Sequence, residues 1–460
     1  MKVVQAYRYA LDPTPAQAAA LASHCGGARF AFNWGLGQVK ANLAQREAEK
    51  TYGIPEERLT PLLSWSMYSL RKRWNAAKSD VVPWWADNSK EAYACGLDRL
   101  AAALKNWDAS RKSKRAGARV GFPRFKAKHR IVPSCRFTTG AIRVESDRRH
   151  VTLPRLGTIR TSESTRKLAR HLERGTGRIM AATIRYKGGR WLVSFTCEIE
   201  RAEGVPARPD AVVGVDLGVK DLAVLSTGEL VPNRRHHAAA LRELRRLGKE
   251  LARRQGPRTP TGDRREASAR WHKTKAALGR AHAKVANQRR DGVHKLTSRL
   301  AADYGTVVVE DLNVSGMLAN RRLARAVADA GMSEVRRQLA YKTTWNGGRL
   351  IVADRWFPSS KTCSGCGAVK TKLALSERTY TCTTCGLLLN RDENAARNLA
   401  ALAVDVAQSC GETENAPRET GRDGIGRSGG AGVRPASGGP SALKREPRKR
   451  GTPGRKATAA

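Results

Sequence analysis

Two pairs of cysteines carry the strongest chemical signal in the sequence. They appear as Cys363-x-x-Cys366 and Cys382-x-x-Cys385, and a glycine follows each pair. Each short knuckle can direct two thiolates at one ion, and two knuckles about fifteen residues apart are typical of a tetrahedral zinc site. Because four thiolates close the coordination shell and leave no position for a reactive water, we expect one structural zinc.

Three carboxylates could carry out chemistry that such a zinc cannot. Asp216 ends the apolar run VVGVD, Glu310 ends the run VVVE, and Asp392 opens the helical pattern RDENAARNLAALAVDVA. If the two runs are strands of one buried sheet and the helix crosses their edge, the three side chains converge and can bind two Mg²⁺ ions. Two such ions support in-line attack of water on a phosphodiester. Gly214 and Gly218 are expected to leave room there for a phosphate backbone.

Each of these acidic positions also has a simpler explanation. Asp392 could cap its helix, and Glu310 could pair with an arginine. Asp311 competes with Glu310 as a ligand, while Asp221 and Glu393 lie close in sequence to the other two positions. Two carboxylates on strands and a later one on a helix are together more specific than any one of them. We therefore predict the original three as the catalytic magnesium ligands.

The net charge predicts the class of partner. The chain has 460 residues, with 85 Lys and Arg against 41 Asp and Glu, which gives a formal net charge of +44. A surplus this large indicates an extended polyanion, and nucleic acid is the obvious one. No apolar run approaches the roughly 18 residues of a membrane span, and the first residues lack the form of a signal peptide. We expect a cytoplasmic protein without a membrane partner, associated with the nucleoid when bound to DNA.

A basic segment at residues 111–130 interleaves cations with two phenylalanines. Arg124, Lys126 and Lys128 alternate around Phe125, which fits an ordered surface that contacts phosphates. The alternative is a solvated, flexible linker. We name the three cations as candidate nucleic-acid contacts.

The elements before residue 115 are a strand followed by helices. Residues 2–11 have the pattern of a strand, after which Thr14 and Gln17 can form the capping box of a helix. Helical patterns continue from there, with an interruption expected at Gly26-Gly27.

The rest of the chain changes from strands to an α/β pattern. Residues 131–200 alternate as strands do, with a hairpin turn at Gly188-Gly189, and with the opening strand they could form a small barrel. From about residue 211 apolar strands alternate with helices. The expected helices are 235–254, 265–303 and 332–347, with a break at 256–262.

Six motifs follow one another along the chain: GFPRFKAKHR, GVDLGVKDLAVLS, VVVEDLNVSGM, RWFPSSKTCSGCG, CTTCG and NRDENAARNLA. In type, order and spacing they resemble those of the transposon-encoded TnpB (OrfB) proteins, compact relatives of the type V CRISPR effector nucleases. The resemblance extends from Lys2 to about Leu402. One departure is Met332, where we would expect a Trp in close relatives.

The resemblance implies a multidomain α+β protein. Its parts are a β-barrel wedge domain (1–13 and 116–205) with an inserted helical recognition domain (14–115), a RuvC-like (RNase H-type) α/β nuclease domain (206–358 and 387–408), and a zinc ribbon inserted in it that binds target nucleic acid (359–386). Beyond the resemblance, the composition of residues 409–460 predicts a disordered basic tail.

The resemblance also implies a function. Family members hold a guide RNA encoded at the transposon end and cut double-stranded DNA beside a short transposon-associated motif. Asp216, Glu310 and Asp392 occupy the positions of the family's three metal-binding carboxylates. Two alternatives stay open, a catalytically silent RNA-guided regulator and a transposase or accessory DNA-binding protein of the element. The intact carboxylates argue against the first, and the lack of a clear tyrosine or serine nucleophile motif argues against the second.

Overall fold

The computed structural model describes residues 1–128, 130–255, 267–374 and 376–410, with the backbone alone for 404–410. The break expected at 256–262 and the tail beyond residue 410 lie outside the described residues. Residues 1–409 form one compact unit. None of the helices in the described part of the chain combines the length and the apolarity that crossing a membrane requires.

Strands and helices are numbered separately in chain order. The described strands are β1 (Lys2–Asp12), β2 (Ser134–Phe137), β3 (Arg143–Val144), β4 (His150–Leu153), β5 (Gly157–Thr161), β6 (Gly177–Lys187), β7 (Arg190–Glu200), β8 (Arg208–Asp216), β9 (Asp221–Leu225), β10 (Leu230–Pro232), β11 (Tyr304–Glu310), β12 (Arg349–Ala353), β13 (Thr379–Thr381) and β14 (Leu388–Asn390). The described α-helices are α1 (Pro15–Thr51), α2 (Met67–Val81), α3 (Lys90–Arg111), α4 (Arg166–Glu173), α5 (His236–Arg253), α6 (Ala269–Asp303), α7 (Val314–Ala319), α8 (Ala324–Ala330), α9 (Met332–Trp345) and α10 (Arg391–Cys410).

The first half of the chain is built on a seven-stranded antiparallel sheet with the order β2-β6-β7-β1-β5-β4-β3. β1 pairs with β7 along most of its length and with β5 at its end. The turn between β6 and β7 is Gly188-Gly189, and both glycines have positive φ, which is what a two-residue hairpin of this composition predicts. The strands expected for a barrel thus form one sheet, in which β2 and β3 are the edges.

Helices α1, α2 and α3 are inserted between β1 and β2. The capping box predicted for α1 is confirmed, because Thr14 and Gln17 each bond the other's backbone N–H through a side-chain oxygen. The interruption expected at Gly26-Gly27 is wrong, since α1 continues through both residues. Gly27 lies against the ring of Tyr93 on α3, where a β-carbon would come within 3.1 Å of a ring carbon. The glycine therefore serves close helix packing.

The second half is built on a five-stranded sheet with the order β10-β9-β8-β11-β12. β8, β11 and β12 run parallel to one another, and helices cover both faces of the sheet, as is usual for parallel strands. Val307 and Val309 enter a core shared with α6 and α9, while Val308 enters a core shared with α10. Because side chains alternate along a strand, this packing fixes the face to which each strand residue points.

Candidate carboxylate centre and cysteine site

Asp216 and Glu310 stand at the ends of two adjacent parallel strands. β8 and β11 are paired in register up to Val215 and Val309, so the two acids follow side by side as the next residue of each strand. Neighbouring strands lie about 4.8 Å apart. By the alternation of the strand, both carboxylates share the face of Val308, which α10 covers. The sheet delivers two carboxylates to one edge, beneath one helix.

Helix α10, which carries Asp392, rests directly on β8. A β-carbon at Gly214 would lie 1.9 Å from the carbonyl oxygen of Ala396, so glycine alone permits this contact. The expectation that Gly214 and Gly218 make room for a phosphate backbone is wrong. The helix fills the space beside Gly214, and a β-carbon at Gly218 would come within 2.8 Å of the carbonyl oxygen of Asp221 inside the β8–β9 turn.

The cap of α10 is Asn390 and not Asp392. The side-chain oxygen of Asn390 accepts hydrogen bonds from the backbone N–H groups of Asp392 at 2.9 Å and Glu393 at 3.3 Å. The carboxylate of Asp392 accepts instead from Nη2 of Arg391 at 3.1 Å and lies 3.9 Å from Nη1 of Arg378. Its position at the helix start is therefore not explained by capping.

The three carboxylates interact strongly enough to change the protonation of one of them. Burial, followed by the negative charges of Glu310 and Asp392, raises the pKa of Asp216 to about 8, and Arg391 opposes that shift. Hard oxygen ligands with an excess of negative charge are the donor set that Mg²⁺ prefers. By its chemistry the cluster fits a divalent cation.

The raised pKa gives a stability prediction for the metal-free protein. In the unfolded chain the Asp216 carboxyl ionises at about pH 3.9, whereas in the folded chain its pKa is about 8. Between these values the folded state binds more protons, so its free energy of unfolding falls as pH rises, by about 1.4 kcal/mol per pH unit from this group. Asp216→Asn mimics the protonated carboxyl, so in EDTA at pH 8 it should unfold at a higher temperature than the wild type.

The difference in melting temperature should shrink as the pH falls and vanish near the pKa of the unfolded chain. Thermal unfolding followed by circular dichroism across this pH range measures it. Equal melting temperatures at pH 8 would show that the fold does not raise the pKa of Asp216.

The acids adjacent in sequence to these carboxylates have partners of their own. Asp311 accepts hydrogen bonds from Arg336 and from Nη2 of Arg355, the latter at 2.7 Å. The two guanidinium groups hold the pKa of the Asp311 carboxyl below its usual value. Glu393 accepts from Nη2 of Arg397 at 2.7 Å. Arginines therefore balance the charges of Asp311 and Glu393, as Arg391 does for Asp392.

A hydrogen-bond network links Glu310 to α10. The Glu310 carboxylate accepts from the hydroxyl of Ser359, a buried residue just before the cysteines. Asn398 of α10 donates to the carbonyl oxygens of Ser359 and Thr362, each at 2.7 Å. Asn394, one turn earlier, also donates to the Thr362 carbonyl at 2.7 Å. The helix that bears the third carboxylate is thus tied to the segment that orients the second.

The four cysteine side chains meet at one point. Their sulfur atoms all lie within 4.8 Å of one another, and the Cys363–Cys385 and Cys366–Cys382 sulfur pairs are each 3.6 Å apart. Thiolates at about 2.3 Å from a tetrahedral zinc would be separated by about 3.8 Å, so this donor set fits zinc. Among the described residues no other group of three or more such side chains comes this close together, so the carboxylates of Asp216, Glu310 and Asp392 do not all lie within 4.8 Å of one another. We call residues 359–390, which hold the four cysteines and the paired strands β13 and β14, the cysteine module. Its last strand, β14, continues into α10 without a loop.

The three candidate nucleic-acid contacts lie in different environments. Arg124 and Lys128 are exposed. The Lys126 ammonium instead lies 3.3 Å from the centre of the Phe32 ring, and the backbone of Lys126 is bonded in both directions to the side chain of Asn33. Burial lowers the pKa of Lys126 to about 8. Lys126 anchors the segment on α1, and the other two stay predicted phosphate contacts.

Sequence reasoning missed Ser359, Arg391 and the asparagine pair Asn394 and Asn398. The asparagines are four residues apart in an otherwise alanine-rich and leucine-rich helix, so they share a face with its apolar residues. That polar pair on an apolar face is a signal that could have identified them. Nothing in the sequence distinguishes Ser359 from its neighbour Ser360.

Three family models match separate parts of the chain. The model described as "Probable transposase" (OrfB_IS605) matches residues 194–321. The model "Cas12f1-like, TNB domain" matches residues 333–399, and the "Helix-turn-helix domain" of the OrfB_IS605 type matches residues 1–48.

Several curated proteins resemble the chain along nearly its whole length. It is 41% identical to "Putative RNA-guided DNA endonuclease Rv2885c" of Mycobacterium tuberculosis, with 95% of each chain covered. It is 34% identical to a Streptomyces pristinaespiralis protein with the same description, over 92% of this chain and 95% of the relative. Escherichia coli InsQ is 30% identical, over 90% and 95%. A solved Cas12f1-sgRNA-target DNA complex aligns with a TM-score of 0.45 and 12% identity, over 87% of this chain and 99% of that one, a likeness too low to bear on function. The extent of the curated similarity shows that the chain belongs to the TnpB (OrfB) family of transposon-associated proteins.

Proposed function

We propose that this protein is an RNA-guided DNA endonuclease whose RuvC-like centre is formed by Asp216, Glu310 and Asp392. The observation that carries the proposal is that two adjacent parallel strands end at Asp216 and Glu310 beneath helix α10, which has Asp392 in its first turn. The 41% identity to a relative described as an RNA-guided DNA endonuclease supports it. The substrate in this proposal is double-stranded DNA beside a short transposon-associated motif.

Each carboxylate has a distinct part in holding the catalytic ions. Asp216 and Glu310 are presented by strands, so their backbone positions are rigid, while Asp392 approaches from α10. Bound Mg²⁺ would activate a water for in-line attack and stabilise the leaving oxygen of the phosphodiester. A cation held beside Asp216 would favour the ionised form of its carboxylate. Ser359 holds the Glu310 carboxylate in one orientation through its hydroxyl.

A basic cleft between the seven-stranded sheet and α6 supports a polyanionic partner, which we assign as the guide RNA. Its volume is about 630 Å³. Its acidic lining residue, Glu163, accepts a hydrogen bond from the backbone N–H of Ala10 at 2.7 Å. Burial is the main cause of the lowered pKa of Arg8, and repulsion from Arg290 and Arg185 lowers it further. Phosphates would relieve that repulsion. The cations that line the cleft are Arg8, Lys187, Arg190, Arg280, Lys284 and Arg290.

The domain assignment follows the same proposal. We assign the seven-stranded sheet to the wedge domain and the inserted helices α1–α3 to the recognition domain. The five-stranded sheet with α10 is the RuvC-like domain. Residues 359–386 are a zinc ribbon, and the convergence of four thiolates supports this assignment.

For the test, the protein is expressed in cells that also carry its native transposon end, and it is then purified. RNA that co-purifies is sequenced, and the complex is incubated with a DNA library in which the guide-matched sequence is flanked by randomised positions. We expect one RNA species from the transposon end and Mg²⁺-dependent cutting next to one short motif, with no cutting in EDTA.

The other outcomes distinguish the alternatives. Guide-directed binding without cutting in Mg²⁺ would instead identify a catalytically silent regulator. A preparation that carries no discrete RNA and joins or nicks transposon ends would identify a transposase or an accessory protein of the element.

A further inference from the structure

One tryptophan has an environment unlike that of the others. The chain contains 10 tryptophans, and the side chain of Trp356 is 85% exposed, whereas that of Trp84, the next most exposed, is 42% exposed. Trp84 also packs edge-on against Phe30, with ring centroids 5.8 Å apart. Trp356 makes no ring–ring or cation–ring contact with any residue that the structure describes. Its ring faces are therefore open to a partner molecule, and an indole can stack on a nucleobase.

The exposure of Trp356 does not come from a loose segment. Ala353, the last residue of β12, pairs with Glu310 in the sheet. Asp354 then forms a turn, in which its side chain accepts from the Trp356 N–H at 2.8 Å and its carbonyl oxygen accepts from the Phe357 N–H at 3.1 Å. Phe357 packs on the core beneath α10. The backbone on both sides of Trp356 is fixed.

Two side chains of the same segment bond to acids at the end of β11. Arg355 donates to the carboxylate of Asp311 at 2.7 Å, and the Ser359 hydroxyl donates to the carboxylate of Glu310. Trp356 lies between these anchors, three residues from Ser359, and three residues of chain reach at most about 11 Å. The backbone of Trp356 is therefore held within about 11 Å of Ser359, whose hydroxyl bonds the Glu310 carboxylate.

We propose that Trp356 is a stacking platform for an unpaired nucleobase of the DNA strand that lies at the carboxylate centre. The inference rests on the proposed nuclease function and adds a substrate-binding residue to it. An indole presents a flat face to any base, so the contact positions the strand without reading its sequence. Arg355 and Lys361 flank it in sequence, as expected beside a phosphate backbone.

The proposal also predicts the form of the substrate at this point. A base inside a duplex is stacked on both faces and cannot offer one to Trp356, so the strand must be locally single-stranded where it is cut. Stacking contacts of this kind change affinity by about 5- to 150-fold when the aromatic residue is replaced by alanine. We expect Trp356→Ala to lower kcat/KM for cutting by a factor in this range.

The experiment is a double-substitution cycle on the protein–RNA complex. Wild-type and Trp356→Ala complexes are compared on DNA in which a single abasic nucleotide is moved, one position at a time, past the scissile phosphate. At one position the abasic site should slow the wild type as much as Trp356→Ala does, and should slow the variant no further. Trp356→Phe should recover most of the rate, because a phenyl ring also stacks on a base.

A second measurement separates this inference from the nuclease proposal. 2-Aminopurine placed at the sensitive position should be quenched in the wild-type complex and bright in the Trp356→Ala complex, whether or not the DNA is cut. Trp356-dependent quenching in a complex that never cuts would overturn the nuclease function and leave the stacking contact standing. Abasic effects that add to Trp356→Ala at every position, with quenching unchanged, would overturn the stacking proposal.

Discussion

Asp216→Ala is expected to abolish DNA cutting and to leave guide-directed DNA binding largely intact. Burial, and then the negative charges of Glu310 and Asp392, raise the pKa of Asp216. Removing a metal ligand forfeits several kcal/mol of charge stabilisation in the transition state, which corresponds to about 10³-fold or more in rate. Guide pairing and the basic cleft do not depend on this side chain, so binding should persist.

The measurement is a pair of assays on one preparation. Single-turnover cutting in Mg²⁺ gives the rate, and gel-shift titration with guide-matched DNA gives the affinity. Asp221→Asn is the matched control, because Asp221 opens the neighbouring strand β9 yet is not among the charges that shift the pKa of Asp216. It should cut at close to the wild-type rate. If the Asp216→Ala complex cut as fast as the wild type, Asp216 would not be a ligand of the catalytic metal.

The positions of the carboxylates could be predicted because strand patterns are local. VVGVD and VVVE are apolar runs that end in an acid, and in a parallel sheet such ends meet at one edge. The sequence also places Asp392 at the start of an amphipathic helix. That these two strands are direct neighbours is a matter of tertiary pairing, which no local pattern contains.

Glycine is where sequence reasoning failed most clearly. Gly26-Gly27 was expected to interrupt a helix, and Gly214 to admit a phosphate. In both places the glycine admits another helix, through Tyr93 in the first case and the Ala396 carbonyl in the second. A missing side chain leaves space, but the sequence alone does not say which part of the fold fills it.

Partner choice for charged side chains could not be predicted either. Lys126 looked equivalent to Arg124 and Lys128, yet its ammonium lies over the Phe32 ring. Asp311 looked equivalent to Glu310, yet two arginines hold it. Each outcome depends on residues far away in sequence. The residue types at each place could be read from the sequence, whereas the partner of each charged side chain required the fold.

The cysteine module should affect cutting through its fold and not through its metal chemistry. Cys382→Ser removes one of four thiolates, and zinc contributes about 10–16 kcal/mol to the folding of small zinc modules. Strand β14, which runs straight into α10, would then lose its support and Asp392 its position. A displacement of about 1 Å can cost about 10²-fold in rate. We expect zinc to be lost, cutting to fall by at least that factor, and guided DNA binding to weaken.

Zinc content by atomic emission, DNA affinity and cutting rate are measured together, with Thr383→Ala, an exposed residue of the same knuckle, as the control. Asn398→Ala tests the hydrogen bonds between α10 and the segment before the cysteines. It removes the bonds to the Ser359 and Thr362 carbonyls and leaves all four thiolates in place. It should keep its zinc and still cut more slowly than the wild type. A Cys382→Ser protein that lost activity while retaining stoichiometric zinc would contradict a structural role for the ion. If a zinc-free protein cut normally, the contact of α10 with Gly214 would be enough to hold Asp392 in place.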